Sequence, residues 1–175
     1  MRIRVPAGEV RPTTDFVRQA VFSILGDRVN NAAVLDLFAG SGAIGLEALS
    51  RGAASCLFVE EDRRATTVIT ENLRATGLTG GRVVRADTFR HLPAERGSFD
   101  LIFADPPYAK SADGRDMAAE LLAAPDFPRL LAPGGLAVIE VATEQSSPAN
   151  PRWHLLDRRT YGGSAILLYE TSAPA

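Results

Sequence analysis

Asp105-Pro106-Pro107-Tyr108 is the stretch of this chain best equipped for chemistry. Two prolines after an acid make a stiff backbone. Pro106 has no N–H, so its carbonyl can turn inward as an acceptor; Asp105 supplies a second acceptor. Two acceptors about one amine apart would hold both hydrogens of an exocyclic –NH2. That aims the amine's lone pair at an electrophilic methyl group and favours the geometry of the transition state. Asp105 could also take the proton lost after transfer. Tyr108 offers a flat face on which an extruded base can stack. The plainer reading is a rigid strand-to-loop turn with a packed tyrosine.

A second constellation narrows the choice. The apolar run Val34-Leu35-Asp36-Leu37 leads into Phe38-Ala39-Gly40-Ser41-Gly42, and a helical pattern begins at about residue 42. Gly40, Gly42 and Gly45 satisfy G-x-G-x-x-G, which alone is a weak signal. Asp36 is the discriminating residue. A pyrophosphate on this loop would meet an unwanted negative charge, whereas a cationic ligand would be favoured. At ~4 Å, like and opposite charges differ by several kcal/mol at intermediate dielectric. S-adenosylmethionine carries a sulfonium and an ammonium, so the loop favours it over NAD. Asp36, Phe38, Ala39, Gly40, Ser41 and Gly42 are the candidate cofactor-binding residues here.

These groups need a frame. Strands are expected at about 33–38, 55–59, 82–86, 99–104 and 136–142, with helices at about 42–50, 62–75, 88–92 and 115–123. Four successive strands end in acids: Asp36, Glu60, Asp87 and Asp105. Parallel α/β sheets bind ligands at those carboxyl ends. Glu60 is placed to take ribose hydroxyls, with Glu61 beside it; Glu61 and Asp62 also suit the cap of the next helix. Asp87, Thr88 and Asp105 complete the cofactor set. Two closing strands, about 152–158 and 164–170, are joined by Tyr161-Gly162-Gly163 and read as an antiparallel hairpin. Upstream, Thr14 or Asp15 can cap a helix with Phe16, Val17, Ala20, Val21, Ile24 and Leu25 on its apolar side, ended by Gly26. Arg11, Thr13 and Thr14 before that cap could hold an anion or a ligand carboxylate. The expected fold is α/β, a seven-stranded, mostly parallel Rossmann-like sheet with helices on both faces and a C-terminal antiparallel hairpin, in a single domain over 1–175.

The set Arg11-Pro-Thr-Thr-Asp15, Leu35-Asp-Leu-Phe-Ala-Gly-Ser-Gly42, Leu46-Glu-Ala-Leu-Ser-Arg-Gly-Ala53, Phe58-Val-Glu60 and Asp105-Pro-Pro-Tyr108 resembles the bacterial 16S rRNA guanine-N2 methyltransferase family. The resemblance covers nearly the whole chain. It implies S-adenosylmethionine as donor and a guanine of small-subunit ribosomal RNA as acceptor. On it, Asp105, Pro106, Pro107 and Tyr108 are the expected catalytic residues, and Arg11, Thr13, Thr14 and Tyr108 the expected substrate contacts. Such family members usually carry a longer Arg- and Gly-rich arm ahead of the segment matching Arg2–Pro6, which is absent here; residues 1–30 read as an N-terminal arm and helix, and truncation upstream of them is an expectation.

Composition fits this reading. The 175 residues are 46% hydrophobic and 23% charged, with net charge −2. That argues against a protein that coats nucleic acid electrostatically. Residues 1–30 are the exception, holding Arg2, Arg4, Arg11, Arg18 and Arg28 against Glu9, Asp15 and Asp27. Cys56 is the only cysteine and suits an inert core thiol. No signal-peptide pattern, membrane-length apolar run or metal-binding Cys/His cluster is evident, so a cytoplasmic monomer without a metal is expected. Other readings are an amino methyltransferase acting on adenine N6 or on protein glutamine, an NAD-dependent dehydrogenase, and a non-catalytic cofactor-binding module. Asp36 opposes the dehydrogenase, and Asp105–Tyr108 opposes the non-catalytic module.

Overall fold

The computed structural model describes residues 12–107 and 114–172, apart from the side chains of 12–14. Seven strands form one sheet: β1 (Ala33–Leu37), β2 (Ser55–Glu60), β3 (Gly81–Arg85), β4 (Phe99–Ala104), β5 (Leu131–Ala142), β6 (Trp153–Tyr161) and β7 (Ser164–Thr171). Their order is β3-β2-β1-β4-β5-β7-β6. The first five pair in parallel, while β7 runs antiparallel to β5 and β6. The expected mostly parallel sheet with a closing hairpin is therefore present. The order reverses direction at β1, whose neighbours are β2 and β4. In open α/β sheets the ligand crevice lies at such a point, outside the carboxyl ends of the strands.

Alternating side chains feed two cores. Val34, Cys56, Phe58, Leu101, Phe103 and Val138 face one side, where helices α1 (Pro12–Leu25), α2 (Ala43–Ser50) and α3 (Arg63–Thr76) cover them. Leu35, Leu37, Leu57, Val59, Ile102 and Ile139 face the other, under the short helix α4 (Thr88–His91), helix α5 (Met117–Ala123) and the aromatic group Phe127, Trp153 and Tyr169. Burial of Val17, Val21, Phe22 and Leu25 seats α1, each at roughly 1.5–3 kcal/mol of transfer free energy. α3 is bounded by local chemistry. The Asp62 side chain accepts from Ala65 N at its start, and Gly77 takes a left-handed conformation at its end.

Three expectations need correction. Thr14 and Asp15 do not cap α1, because the helix already begins at Pro12, whose fixed φ suits the first turn. Asp15 lies inside the helix and pairs with Arg18 at 2.9 Å. Phe16 is not on the buried stripe: it is 61% exposed and meets Tyr161 edge-on. β5 begins at Leu131 rather than near 136, for Pro133-Gly134-Gly135 is absorbed as an irregularity in its pairing with β4. Gly134 has φ of 75°, and a Cβ on Gly135 would lie 2.8 Å from the Asp100 carbonyl oxygen, which explains glycine at both positions.

Candidate active site

The β1–α2 loop is a tight cradle. Phe38, Gly40 and Gly42 all have positive φ, at 56°, 54° and 77°. Glycine accepts this readily; Phe38 stores strain there, the kind of outlier that collects at ligand-binding turns. Ala39 N donates to Val59 O at 3.1 Å and Gly42 N to Ala39 O at 2.7 Å, which close the turn. The three glycines have different tasks. A Cβ on Gly40 would meet nothing within 4 Å. One on Gly42 would touch Ile69, and one on Gly45 would lie 2.3 Å from Phe58 Cε1. Gly45 thus lets α2 approach the sheet and Gly42 lets the loop lie close against α3, while Gly40 keeps the loop backbone bare on its open side. That fits a ligand laid against the loop.

Two acids support the cradle. Glu60, ending β2, accepts from Gly40 N and from Asp62 N, both at 2.8 Å. It therefore joins the glycine loop to the start of α3. Each of its oxygens retains a second lone pair for a hydroxyl. Asp36 lies deeper, 4% exposed, and accepts from Gly45 N at 3.0 Å. Burial pushes its carboxyl up to about 8; the Gly45 bond opposes this, and the nearby Glu60 charge adds to it. A carboxyl group raised in this way favours folding in its protonated form. That contribution is complete below about pH 4 and is lost as pH rises through about 8, by roughly 1.4 kcal/mol per pH unit in between. Asp36→Asn should consequently close or reverse its stability deficit against wild type between pH 6 and pH 9. Urea midpoints at the two pH values measure this; parallel shifts in both proteins would contradict it.

Asp87 caps α4, accepting from Arg90 N at 2.9 Å. Thr88 behind it is buried. The Glu61 side chain is exposed, and its carbonyl accepts from the Arg85 guanidinium at 3.2 Å. Asp105 stands directly after β4, exposed, with Pro106 buried and Pro107 exposed. Ala104 is in register with Leu37, so Asp105 leaves the sheet beside the start of the glycine loop. The cofactor candidates from Asp36 to Gly42, with Glu60, Glu61, Asp87, Thr88 and Asp105, are therefore gathered at the carboxyl ends of four adjacent strands. Tyr108 and Arg11 lie outside the described residues, as do the Thr13 and Thr14 side chains.

Sequence reasoning overlooked two supports. Asn72 in α3 is 2% exposed and points its amide at the Ser41 carbonyl, 3.5 Å away. An asparagine three residues after Ile69, on the apolar stripe of α3, was the available signal. Phe89 meets the strained Phe38 edge-on at 6.1 Å, and the Arg115 guanidinium lies 5.8 Å from the Phe89 ring centre. Nothing in a lone aromatic between Thr88 and Arg90 announces that pairing.

This strand order, with a glycine loop after β1 and acids at or near the strand ends, is the frame of a methyltransferase. The chain belongs to the family described as conserved hypothetical protein 95, whose model matches residues 1–170. YlbH of Bacillus subtilis is 36% identical over 171 residues, which span 95% of this chain and 90% of that one. Ribosomal RNA small subunit methyltransferase D of Escherichia coli K12 is 34% identical over 165 residues, 94% of this chain and 81% of the relative. The solved structure of yhhF from Escherichia coli superposes with a TM-score of 0.81 at 34% identity, over 99% of this chain and 93% of that one.

Proposed function

We propose that this protein transfers a methyl group from S-adenosylmethionine to the exocyclic N2 amine of a guanine in 16S ribosomal RNA. The observation that carries the reading is the position of Asp105-Pro106, which leaves β4 beside the glycine loop at the reversal of strand order. An amine held there lies next to a donor laid along the loop. The donor supplies an electrophilic methyl group. Asp105 and the Pro106 carbonyl accept the two amine hydrogens, and Asp105 receives the proton as the N–C bond forms. Pro107 stiffens the turn, and Tyr108 stacks on the base. Arg11, Thr13 and Thr14 stand as RNA contacts.

The small subunit is the favoured presentation. The chain is acidic overall, with little electrostatic grip on random RNA. A guanine read by its amine edge must leave its stack, which costs least in a loop already held open. The protein acts as a cytoplasmic monomer in this reading; among the described residues no helix is long and apolar enough to cross a membrane. Labelled S-adenosylmethionine given with small subunits from cells lacking the modification should label 16S rRNA. Label confined to ribosomal protein, with none in 16S rRNA, would overturn the substrate.

Glu60 provides a separate check on the donor. Glu60→Ala removes the acceptor assigned to the ribose hydroxyls and releases Gly40 N from its partner. Affinity for S-adenosylmethionine should fall by ~1.5–3 kcal/mol, as measured by titration calorimetry. Unchanged affinity would remove Glu60 from the site.

A further inference from the structure

The glycine loop rests on a carboxyl group that the transfer step does not use. Asp36 receives the Gly45 N–H, and Gly45 sits in the first turn of α2, where that helix leaves the loop. The groups around Asp36 do not compensate a charge. From β2 it faces Cys56, a buried thiol whose own ionisation is pushed up by burial and by Asp36, and Glu60, whose oxygens are held by Gly40 N and Asp62 N. From β4 it is in register with the apolar Phe103, with Asp105 beyond the strand end. From α2 it meets backbone N–H, since Glu47 is turned to Arg51 at 2.8 Å. α3 contributes the neutral Asn72, aimed at Ser41. Among the described residues, no cation forms an ion pair with Asp36.

We propose that Asp36 is a positioning residue that carries a proton until the methyl donor binds and then releases it to solvent. The proposal rests on the donor being a cation seated on this loop. The O–H bond of the carboxyl breaks, the proton passes to buffer, and the carboxylate remains opposite the donor's positive charge. The Gly45 bond then becomes charge-assisted and stronger, which fixes the first turn of α2 as the loop closes on the donor. Donor binding and loop anchoring are thereby coupled to one proton. Linkage requires donor affinity to rise with pH between about 6 and 8, by as much as tenfold per unit.

Calorimetric titration of the full chain with S-adenosylmethionine at pH 7, in buffers of different ionisation heat, counts the protons. Wild type should release more than half a proton per donor bound. Asp36→Asn, whose amide oxygen can still accept from Gly45 N, should release close to none. A wild-type protein that binds donor without net proton release would overturn the proposal, as would an Asn variant that releases as many protons as wild type. If the variant does not fold, wild-type affinity measured from pH 6 to pH 8 still decides: a rise supports the coupling and a flat profile overturns it. Failure of wild type to bind the donor at all would instead overturn the donor assignment, and this proposal with it.

Discussion

Asp105→Ala is expected to yield a folded protein that binds S-adenosylmethionine but transfers its methyl group at least about 100-fold more slowly. Asp105 is exposed and stands after β4 rather than within it, so its removal opens no core cavity. Loss of an acceptor aligned on the reacting amine, and of the group that takes its proton, should reduce the single-turnover rate by roughly 100- to 10,000-fold. Donor affinity should change little, because the glycine loop and Glu60 lie on β1 and β2. A single-turnover rate near wild type would refute the role given to Asp105. The companion pair at Tyr108 separates stacking from hydrogen bonding. Tyr108→Phe should be mild, whereas Tyr108→Ala should lose the ~1–3 kcal/mol that a stacked base contributes.

Gly45→Val should have the largest effect on folding. A Cβ at this position would lie 2.3 Å from Phe58 Cε1 and 2.6 Å from Cys56 Sγ. Phe58 is fully buried in β2, so neither ring nor helix can yield cheaply. The variant must lift α2 from the sheet, which also strains the bond from Gly45 N to Asp36. Overpacking of this kind costs ~1–3 kcal/mol and sometimes more. The urea midpoint should fall accordingly, and donor affinity with it. A variant as stable as wild type would show that the helix–strand contact is looser than described.

Much of this frame was legible because its signals are local. Apolar runs that carry Asp36 near their end, or that lead into Glu60, Asp87 and Asp105, placed the first four strands within a residue or so. Tyr161-Gly162-Gly163 announced the hairpin, and Gly26 and Gly77 stopped their helices as expected. Pro12 misled, because Thr14 and Asp15 are good cap residues and a proline in a first turn leaves no contrary mark. Phe16 misled because helical period alone does not fix the edges of a buried stripe. The start of β5 was hidden by Pro133-Gly134-Gly135, a turn composition that here forms an irregular strand. Within the site, residue types suggested which acids gather, but not the division of labour between them. Glu60 reaches across to Gly40, and Asp36 reaches down to Gly45. Those are contacts between residues 20 and 9 apart along the chain. They follow from how the glycine loop and α2 fold back over the strand ends, which composition does not encode.

The central claim is that the pair of acceptors after β4 holds a guanine amine. It is tested most directly by identifying the methylated nucleoside. After transfer of labelled methyl to small subunits lacking the modification, 16S rRNA is digested to nucleosides and separated. N2-methylguanosine should carry the label. N6-methyladenosine as the labelled product would contradict the account.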